Sequence, residues 1–308
     1  MHPPVFSKLK TSRDNDFKES AMFVVFGATG NTGGATARAL LSQGQKVRVV
    51  IRNLEKAEHW QQLGAEVFLA DYKDRARLIE AVQGSQGIYL MNPPPNQQPE
   101  PLITAREQAE IYRDLIDLTP RVVVLSSVGA HKAQGTGSIQ TLHILEEVLR
   151  AENVTFLRPG YFAENWLQVL PLAQSQGLLP SFLQPLDKTV PMVCTEDIGV
   201  AAAGLLLSQE APRIVELTGP SDLSPQDIAT QLSPRLNRRV DAVAVPEEQW
   251  EAEVSQWGFS RKAADLIMGL YRGVNNGTVE YEFPDRVWRG ETEIVGSLLT
   301  QRPTPVPV

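Results

Sequence analysis

Three glycines at fixed spacing are the first residues in this chain with chemistry to offer. They are Gly27, Gly30 and Gly33, in the stretch Gly27-Ala-Thr29-Gly30-Asn31-Thr32-Gly33. Glycine permits tight turns that bring backbone N–H groups close to an anion. A helix starting at such a turn adds its unpaired N–H groups and the positive end of its dipole. The stretch reads as a cradle for a pyrophosphate. Gly27 and Gly30 make the turn, Gly33 lets the helix lie near the preceding strand, and Thr29, Asn31 and Thr32 complete the contact set. The spacing is G-x-x-G-x-x-G, not the G-x-G-x-x-G of the better-known dinucleotide folds. Glycines alone can equally mark a structural turn. A buried strand before them (Phe23 to Phe26) and a helix after them favour a nucleotide.

Other chemistry-bearing residues fall at the ends of later apolar runs. Arg52 ends the run Lys46 to Ile51, where an acidic residue would hold the ribose 2′-hydroxyl of NAD. A cation there suits a 2′-phosphate, so the expected cofactor is NADP(H), with Lys56 able to assist; otherwise Arg52 is an exposed loop arginine. Asp71 and Tyr72 close the next run, where an adenine edge would lie, or they are a helix cap and a surface ring. Asn92 and Pro93 open the rigid segment Asn92-Pro-Pro-Pro-Asn96, which flanks a cofactor ribose or only stiffens a loop. Ser126 and Ser127 follow the fifth run, near the nicotinamide end. They lack the G-x-S-x-G elbow of a hydrolase nucleophile.

These residues need a frame, and the apolar runs supply one. Strands are expected at 23–26, 46–51, 66–70, 87–91, 121–125 and 154–157. Helices are expected after the glycine turn, where Ala35, Ala37, Ala39, Leu40 and Leu41 give an apolar face, at 54–63, 75–82 and 101–118, and at 139–151 with Leu142, Leu145 and Leu149 as its core stripe. This alternation implies an α/β fold with a doubly wound parallel sheet covered on both faces. The turn Arg158-Pro159-Gly160-Tyr161 follows the sixth strand, and beyond Trp166 the alternation loosens. Residues 178–186 read as loop and Thr189 to Val193 as a short strand. Thr195 is a plausible cap for an apolar helix to Leu207, and Arg213 to Leu217 reads as a strand returning to the main sheet. Ser224-Pro225 starts a helix, 240–245 is a strand, 247–257 and 260–271 are helices, and 273–277 should turn.

Composition excludes several classes. The formal charge of −7 argues against a nucleic-acid surface, which needs a clustered basic footprint. One cysteine, Cys194, excludes a disulfide framework or multi-cysteine metal site and fits a reducing, cytoplasmic setting. His2, His59, His131 and His143 show no metal-ligand spacing, so no metal is expected. The longest aliphatic run, Ile198 to Leu207, is far short of the roughly 18 residues a membrane span needs. Residues 1–21 are polar and carry no apolar core of a signal peptide. They are expected to be a disordered leader, or translation starts at Met22. The proline-rich end from Arg302 should fray.

Four stretches give the chain a family likeness. They are the glycine turn; Leu157-Arg-Pro-Gly-Tyr-Phe-Ala-Glu-Asn165; Thr195-Glu-Asp197-Ile-Gly-Val-Ala-Ala-Ala; and Glu216-Leu-Thr-Gly219-Pro220. From about Met22 to Leu299 the sequence resembles the NmrA-like family, atypical short-chain dehydrogenase/reductase proteins that include NADPH-dependent quinone reductases and NADP-binding redox sensors. The resemblance implies a Rossmann domain (22–160 and 188–218) with a smaller discontinuous α/β substrate domain (161–187 and 219–308). Pro159, Gly160, Tyr161 and Phe162 join the expected cofactor contacts.

One departure bears on activity. Related reductases carry Tyr-x-x-x-Lys on the helix after the fifth strand, as a proton-transferring pair. Here the lysine position is His143 and the tyrosine position is Ile139, which cannot transfer a proton. His143 could still bond the ribose or nicotinamide, or be a surface histidine. Quinone reduction survives such a loss, since the acceptor is already electrophilic and needs mainly positioning. Tyr161, Phe162 and Trp166 would wall the pocket, and Asn165 would orient substrate or bond the loop backbone. His143, Tyr161 and Asn165 are thus the catalytic candidates, with His131 and Lys132 as further proton donors. The expected function is an NADP(H)-dependent oxidoreductase of a small, quinone-like or aromatic substrate. The rival is a non-catalytic NADP sensor acting through a protein partner, and a third reading is an isomerase or assembly factor.

Overall fold

The computed structural model describes residues 21–94 and 96–301. Pro95, the tail from Arg302 and all of the expected leader except Ala21 lie outside them. The elements run β1 (Met22–Phe26), α1 (Asn31–Ser42), β2 (Lys46–Ile51), α2 (Ala57–Gln62), β3 (Glu66–Leu69), α3 (Arg75–Val82), β4 (Ser85–Leu90), α4 (Pro101–Ile116), β5 (Val122–Leu125), α5 (Gln140–Val148) and β6 (Val154–Pro159). Then come β7 (Tyr161–Phe162), α6 (Leu170–Gln176), β8 (Leu178–Ser181), β9 (Met192–Val193), α7 (Thr195–Leu207), β10 (Ile214–Thr218), α8 (Pro225–Arg235), β11 (Asp241–Ala244), α9 (Glu247–Ser255), α10 (Arg261–Asn275), β12 (Trp288–Arg289) and α11 (Ile294–Thr300).

Eight strands form one sheet in the order β12-β10-β6-β5-β4-β1-β2-β3, every pair parallel. The unbroken apolar character of β1 follows from burial on both faces. Phe23 and Val25 pack into a core with α1 and α7, whereas Val24 and Phe26 pack with α3, α4 and α5 on the opposite face. Strand order reverses between β1 and β4, and a crevice opens there beyond the carboxyl ends.

A third core gathers α6, α8, α11 and the residues around β8 and β9. Two small parallel pairs serve it: β7 with β9, and β8 with β11. Residues 178–181 are therefore strand, not loop, because Asp241–Ala244 offers them a partner far along the chain. Helix α10 runs through Asn275, past the turn expected from Gly273, and turns only at Asn276 and Gly277. Trp288–Arg289 pairs with β10 at the edge of the main sheet, although its number falls in the stretch assigned to the smaller unit.

The family-like stretches have structural work to do. Cys194, not Thr195, occupies the cap position of α7, and it offers no side-chain bond. The buried Glu164 carboxylate instead accepts from the Thr195 N–H (2.9 Å) and hydroxyl (2.8 Å). Asp197 accepts from the Thr292 N–H (3.0 Å) and hydroxyl (2.8 Å), tying α7 to the approach to α11.

Candidate active site

The crevice holds a cavity of about 1220 Å³. One end is the glycine turn. Gly27 has φ +68°, a region that side chains with a Cβ rarely adopt, and the Gly30 N–H donates to its carbonyl at 2.9 Å. Gly30 precedes α1 with no side-chain cap, so the first-turn N–H groups of α1 keep their capacity for a ligand. A Cβ on Gly33 would sit 2.4 Å from the Gly27 carbonyl oxygen, which is why the helix can come so close to the turn. Gly27, Thr29, Gly30, Asn31 and Thr32 line the cavity, while Gly33 supports the turn from beneath.

Arg52 and Tyr72 line the cavity on the β2–β3 side, the guanidinium lying 5.3 Å from the phenol ring centre. Burial raises the Tyr72 pKa, with Arg52 pulling the other way. Asp71 does not reach the cavity. It is exposed, and its carboxylate accepts from the Lys73 N–H at 2.9 Å in a local turn. Asn92 and Pro93 line the floor, and the Asn92 side-chain nitrogen is buried with no partner, a donor waiting for an acceptor. The roof is pinned where the segment after Pro94 meets the start of α10. There the Ser260 N–H donates to the Asn96 carbonyl (2.7 Å) and its hydroxyl to Gln98 (2.6 Å).

Ser126, Ser127, Gly160, Tyr161, Phe162 and Asn165 line the β5–β6 side. The Ser126 hydroxyl turns away and donates to Glu146 at 2.5 Å; that of Ser127 donates to the Val128 carbonyl at 3.0 Å. Behind Ser126, Arg158 is 2% exposed and held by Glu146 at 2.7 and 2.6 Å. Burial opposes its charge, but Glu146 and Glu282 outweigh that and raise its pKa. Pro159 is buried in β6 and stops one residue short of the cavity.

Helix phase moves His143 out of the site. A short 3₁₀ turn at Gly137–Ile139 leads into α5, so Ser138, Ile139, Thr141 and Leu142 face the cavity. One residue further is about 100° of rotation. The His143 Nδ1 lies 2.8 Å from the Ala130 carbonyl and Nε2 3.6 Å from Glu147. His143 opens with His131 onto a separate cavity of about 140 Å³. Lys132 is paired with Glu280 at 2.6 Å. Neither His131 nor Lys132 lines the large cavity.

Trp166 is also not a wall. It is buried, donates its indole N–H toward the Met192 sulfur (3.5 Å), and backs the Tyr161 ring edge-on. The aromatic and apolar wall comes instead from Trp257, Phe259, Leu266, Ile267, Leu270 and Tyr271. Sequence reasoning did not reach these residues, although their spacing in 266–271 was a visible apolar stripe. Among the described residues no group of three or more His, Cys, Asp or Glu side chains could hold a metal, and no helix is long and apolar enough to cross a membrane.

An open parallel sheet with order reversal at β1/β4, a glycine turn at the crevice and a large cavity beyond the strand ends together define a Rossmann-type α/β protein. The model of the NmrA-like family matches residues 19–269, and the chain belongs to that family. It is 24% identical over 257 residues to an NAD(P)H azoreductase of Xenophilus azovorans, covering 81% of this chain and 86% of that protein. It is 24% identical over 266 residues to quinone oxidoreductase 2 of Escherichia coli, covering 83% and 89%. Its fold matches the NADP(H) complex of a Citrobacter triphenylmethane reductase with TM-score 0.73 at 18% identity, over 90% of this chain and all (100%) of that one.

Proposed function

We propose that this protein is an NADP(H)-dependent oxidoreductase of flat, electrophilic aromatic compounds, quinones foremost. The observation that carries the reading is the continuity of the large cavity. It runs from the glycine turn, past Arg52 and Tyr72, to an open chamber bounded by Tyr161, Phe162, Trp257, Phe259 and Tyr271. A protein that only senses the cofactor has no need of such a chamber. Relatives named for reducing azo compounds and quinones add support.

The residues present fit the cofactor. The glycine turn leaves the first-turn N–H groups of α1 uncapped toward the cavity, Gly33 lets α1 lie against the turn where a Cβ would strike the Gly27 and Phe26 backbone, and the orphaned Asn92 donor lines the ribose region. In this reading Thr29, Asn31 and Thr32 complete the anion contacts, and Arg52 meets a 2′-phosphate while closing with Tyr72 on the adenine. Pro93, Ser127 and Gly160 line the path to the nicotinamide. The cofactor when bound supplies a hydride. The chain supplies orientation and a chamber whose apolar walls exclude water. Arg158 and Glu146 act from behind, fixing the β5 and β6 ends that carry Ser126 and Tyr161.

The test is oxidation of NADPH by a panel of benzoquinones with the full chain. The reading predicts saturable turnover well above the uncatalysed reaction. Tight NADPH binding with no turnover on any acceptor would refute it, and would return the chain to the sensor reading.

A further inference from the structure

One charge in the wall of the large cavity has no opposite. Among the described residues the charged side chains of that lining are Arg52, Lys188 and Glu280. Arg52 stands at the nucleotide end, over Tyr72. Glu280 is paired with Lys132 at 2.6 Å, and more than half of its side chain is in solvent. Lys188 belongs to the other end. It leads into Thr189, Val190 and Pro191, which also line the cavity, and the Pro191 carbonyl accepts from the Tyr161 N–H at 2.7 Å. The run 188–191 therefore lies beside Tyr161, and its first residue reaches the end of α10.

The Lys188 ammonium is held there by two hydrogen bonds. Nζ donates to the carbonyls of Val274 (2.8 Å) and Asn275 (2.9 Å), in the last turn of α10. A helix end offers unpaired carbonyls and partial negative charge, which fixes where the ammonium sits. Two neutral carbonyls do not cancel a full charge. Among the described residues no carboxylate pairs with Lys188. An ammonium also has three donors, and these bonds use two of them. Val190, Leu270, Tyr271 and Val274 stand around it in the lining, so apolar surface limits the water that would screen it.

We infer that Lys188 makes the chamber prefer acceptors that carry an anionic oxygen group, such as a carboxylate, a sulfonate or an ionised ring hydroxyl. The inference rests on the oxidoreductase reading and narrows its substrate class. The anionic group meets the ammonium in a charge-assisted hydrogen bond, while the ring lies among the aromatic side chains. It supplies the two things the carbonyls leave wanting, an opposite charge and an acceptor for the third N–H. The Asn92 amide and the Tyr281 hydroxyl, also in the lining and without partners, are neutral donors and stay in place in every variant of the test.

The test compares a naphthoquinone with its ring sulfonate, two acceptors of one ring system that differ in charge. The kcat/KM of the sulfonate divided by that of the neutral quinone is measured for the unaltered chain, Lys188→Met and Lys188→Arg. Comparing this ratio between chains cancels the intrinsic reactivities of the two acceptors. Lys188→Met should lower the ratio at least about 5-fold, what one charge contact near 4 Å is worth in water, and the loss should lie mainly in KM. Lys188→Arg should keep most of the preference. Added salt should lower the ratio in the unaltered chain more than in Lys188→Met. If Lys188→Met lowers both rates alike, the lysine only caps α10, and the inference is overturned while the oxidoreductase reading stands. A ratio unchanged by the substitution overturns it equally. Turnover of neither acceptor overturns the oxidoreductase reading. Calorimetric binding of the same pair to the NADP-loaded chain then reads the preference without turnover. A sulfonate bound more tightly, with that advantage lost in Lys188→Met, supports the anion site; equal binding of the two, or an advantage kept by Lys188→Met, overturns it.

Discussion

Replacing Arg52 by aspartate should separate NADPH from NADH. Arg52 stands at the carboxyl end of β2 with its guanidinium exposed at the cavity edge and its plane over Tyr72. At a separation near 4 Å, a pair of unit charges is worth about 1 kcal/mol in water and about 4 kcal/mol at an effective dielectric of 20. An exposed arginine belongs near the lower limit, so about 1–2 kcal/mol is lost with the attraction. The aspartate adds a repulsion of similar size. The sum, about 2–4 kcal/mol, is roughly a 30- to 1000-fold rise in Kd for NADPH. NADH lacks the 2′-phosphate and loses only the guanidinium's stacking, about 0.5–1 kcal/mol and so under about 10-fold. Fluorescence titration of both dinucleotides reads the two constants directly. Raising the salt should shrink the NADPH effect, because the site is exposed. Equal losses for NADPH and NADH, or a salt-independent difference, would refute a 2′-phosphate role.

Three further outcomes follow from the structure. Gly33→Ala puts a methyl 2.4 Å from the Gly27 oxygen and 2.6 Å from the Gly27 carbon and Phe26 oxygen, all backbone atoms. It should weaken NADPH and NADH alike and lower Tm in a thermal scan, and discrimination between the two dinucleotides would contradict it. Glu146→Gln leaves the buried Arg158 guanidinium short of its bidentate partner, with only Glu282 and Glu216 near it. Urea unfolding should show a loss of about 3 kcal/mol, the lower part of the range for breaking a buried pair, and an unchanged midpoint would contradict that. His131 has a pKa lowered by burial, with Glu282, Arg158, Lys132 and Glu216 acting on it in both directions. The unfolded chain then binds more protons between that lowered value and about 6.5, so stability rises with pH through this window and is lost on acidification. His131→Gln should flatten this slope in pH-dependent unfolding, and a slope unaltered by the substitution would assign it to other groups.

The nucleotide half of the site was legible because it is local. The glycine turn, β1 and the start of α1 lie within about twenty residues, and Arg52, Tyr72 and Asn92 each sit at the end of a strand whose apolar run is plain. The sheet followed from the same alternation. What was not legible depends on distance or phase. The wall formed by Trp257, Phe259 and Tyr271 comes from the link after α9 and from α10, which are held at the cavity by a separate cluster around Trp250, Val254 and Met268 and by the Ser260 contacts. His143 was misplaced because the 3₁₀ turn at Gly137–Ile139 sets the phase of α5, and a single residue's rotation carries an imidazole from one cavity to another. Asp71 reads as a ligand by its place after β3, but an aspartate there satisfies its own turn first. Trp166 sits in an apolar stretch beside two residues that do line the chamber, and only its indole's approach to Met192 shows that it faces the core.

In the proposed reaction an acceptor takes a hydride from bound NADPH inside the aromatic chamber. The most direct measurement is a single anaerobic turnover. The full chain is loaded with NADPH, deuterated or not at the reactive carbon, and mixed with excess benzoquinone. NADPH absorbance should be lost at a rate that saturates with quinone and is slowed by the deuterium. Oxidation no faster than that of free NADPH, with the dinucleotide shown to be bound, would contradict it.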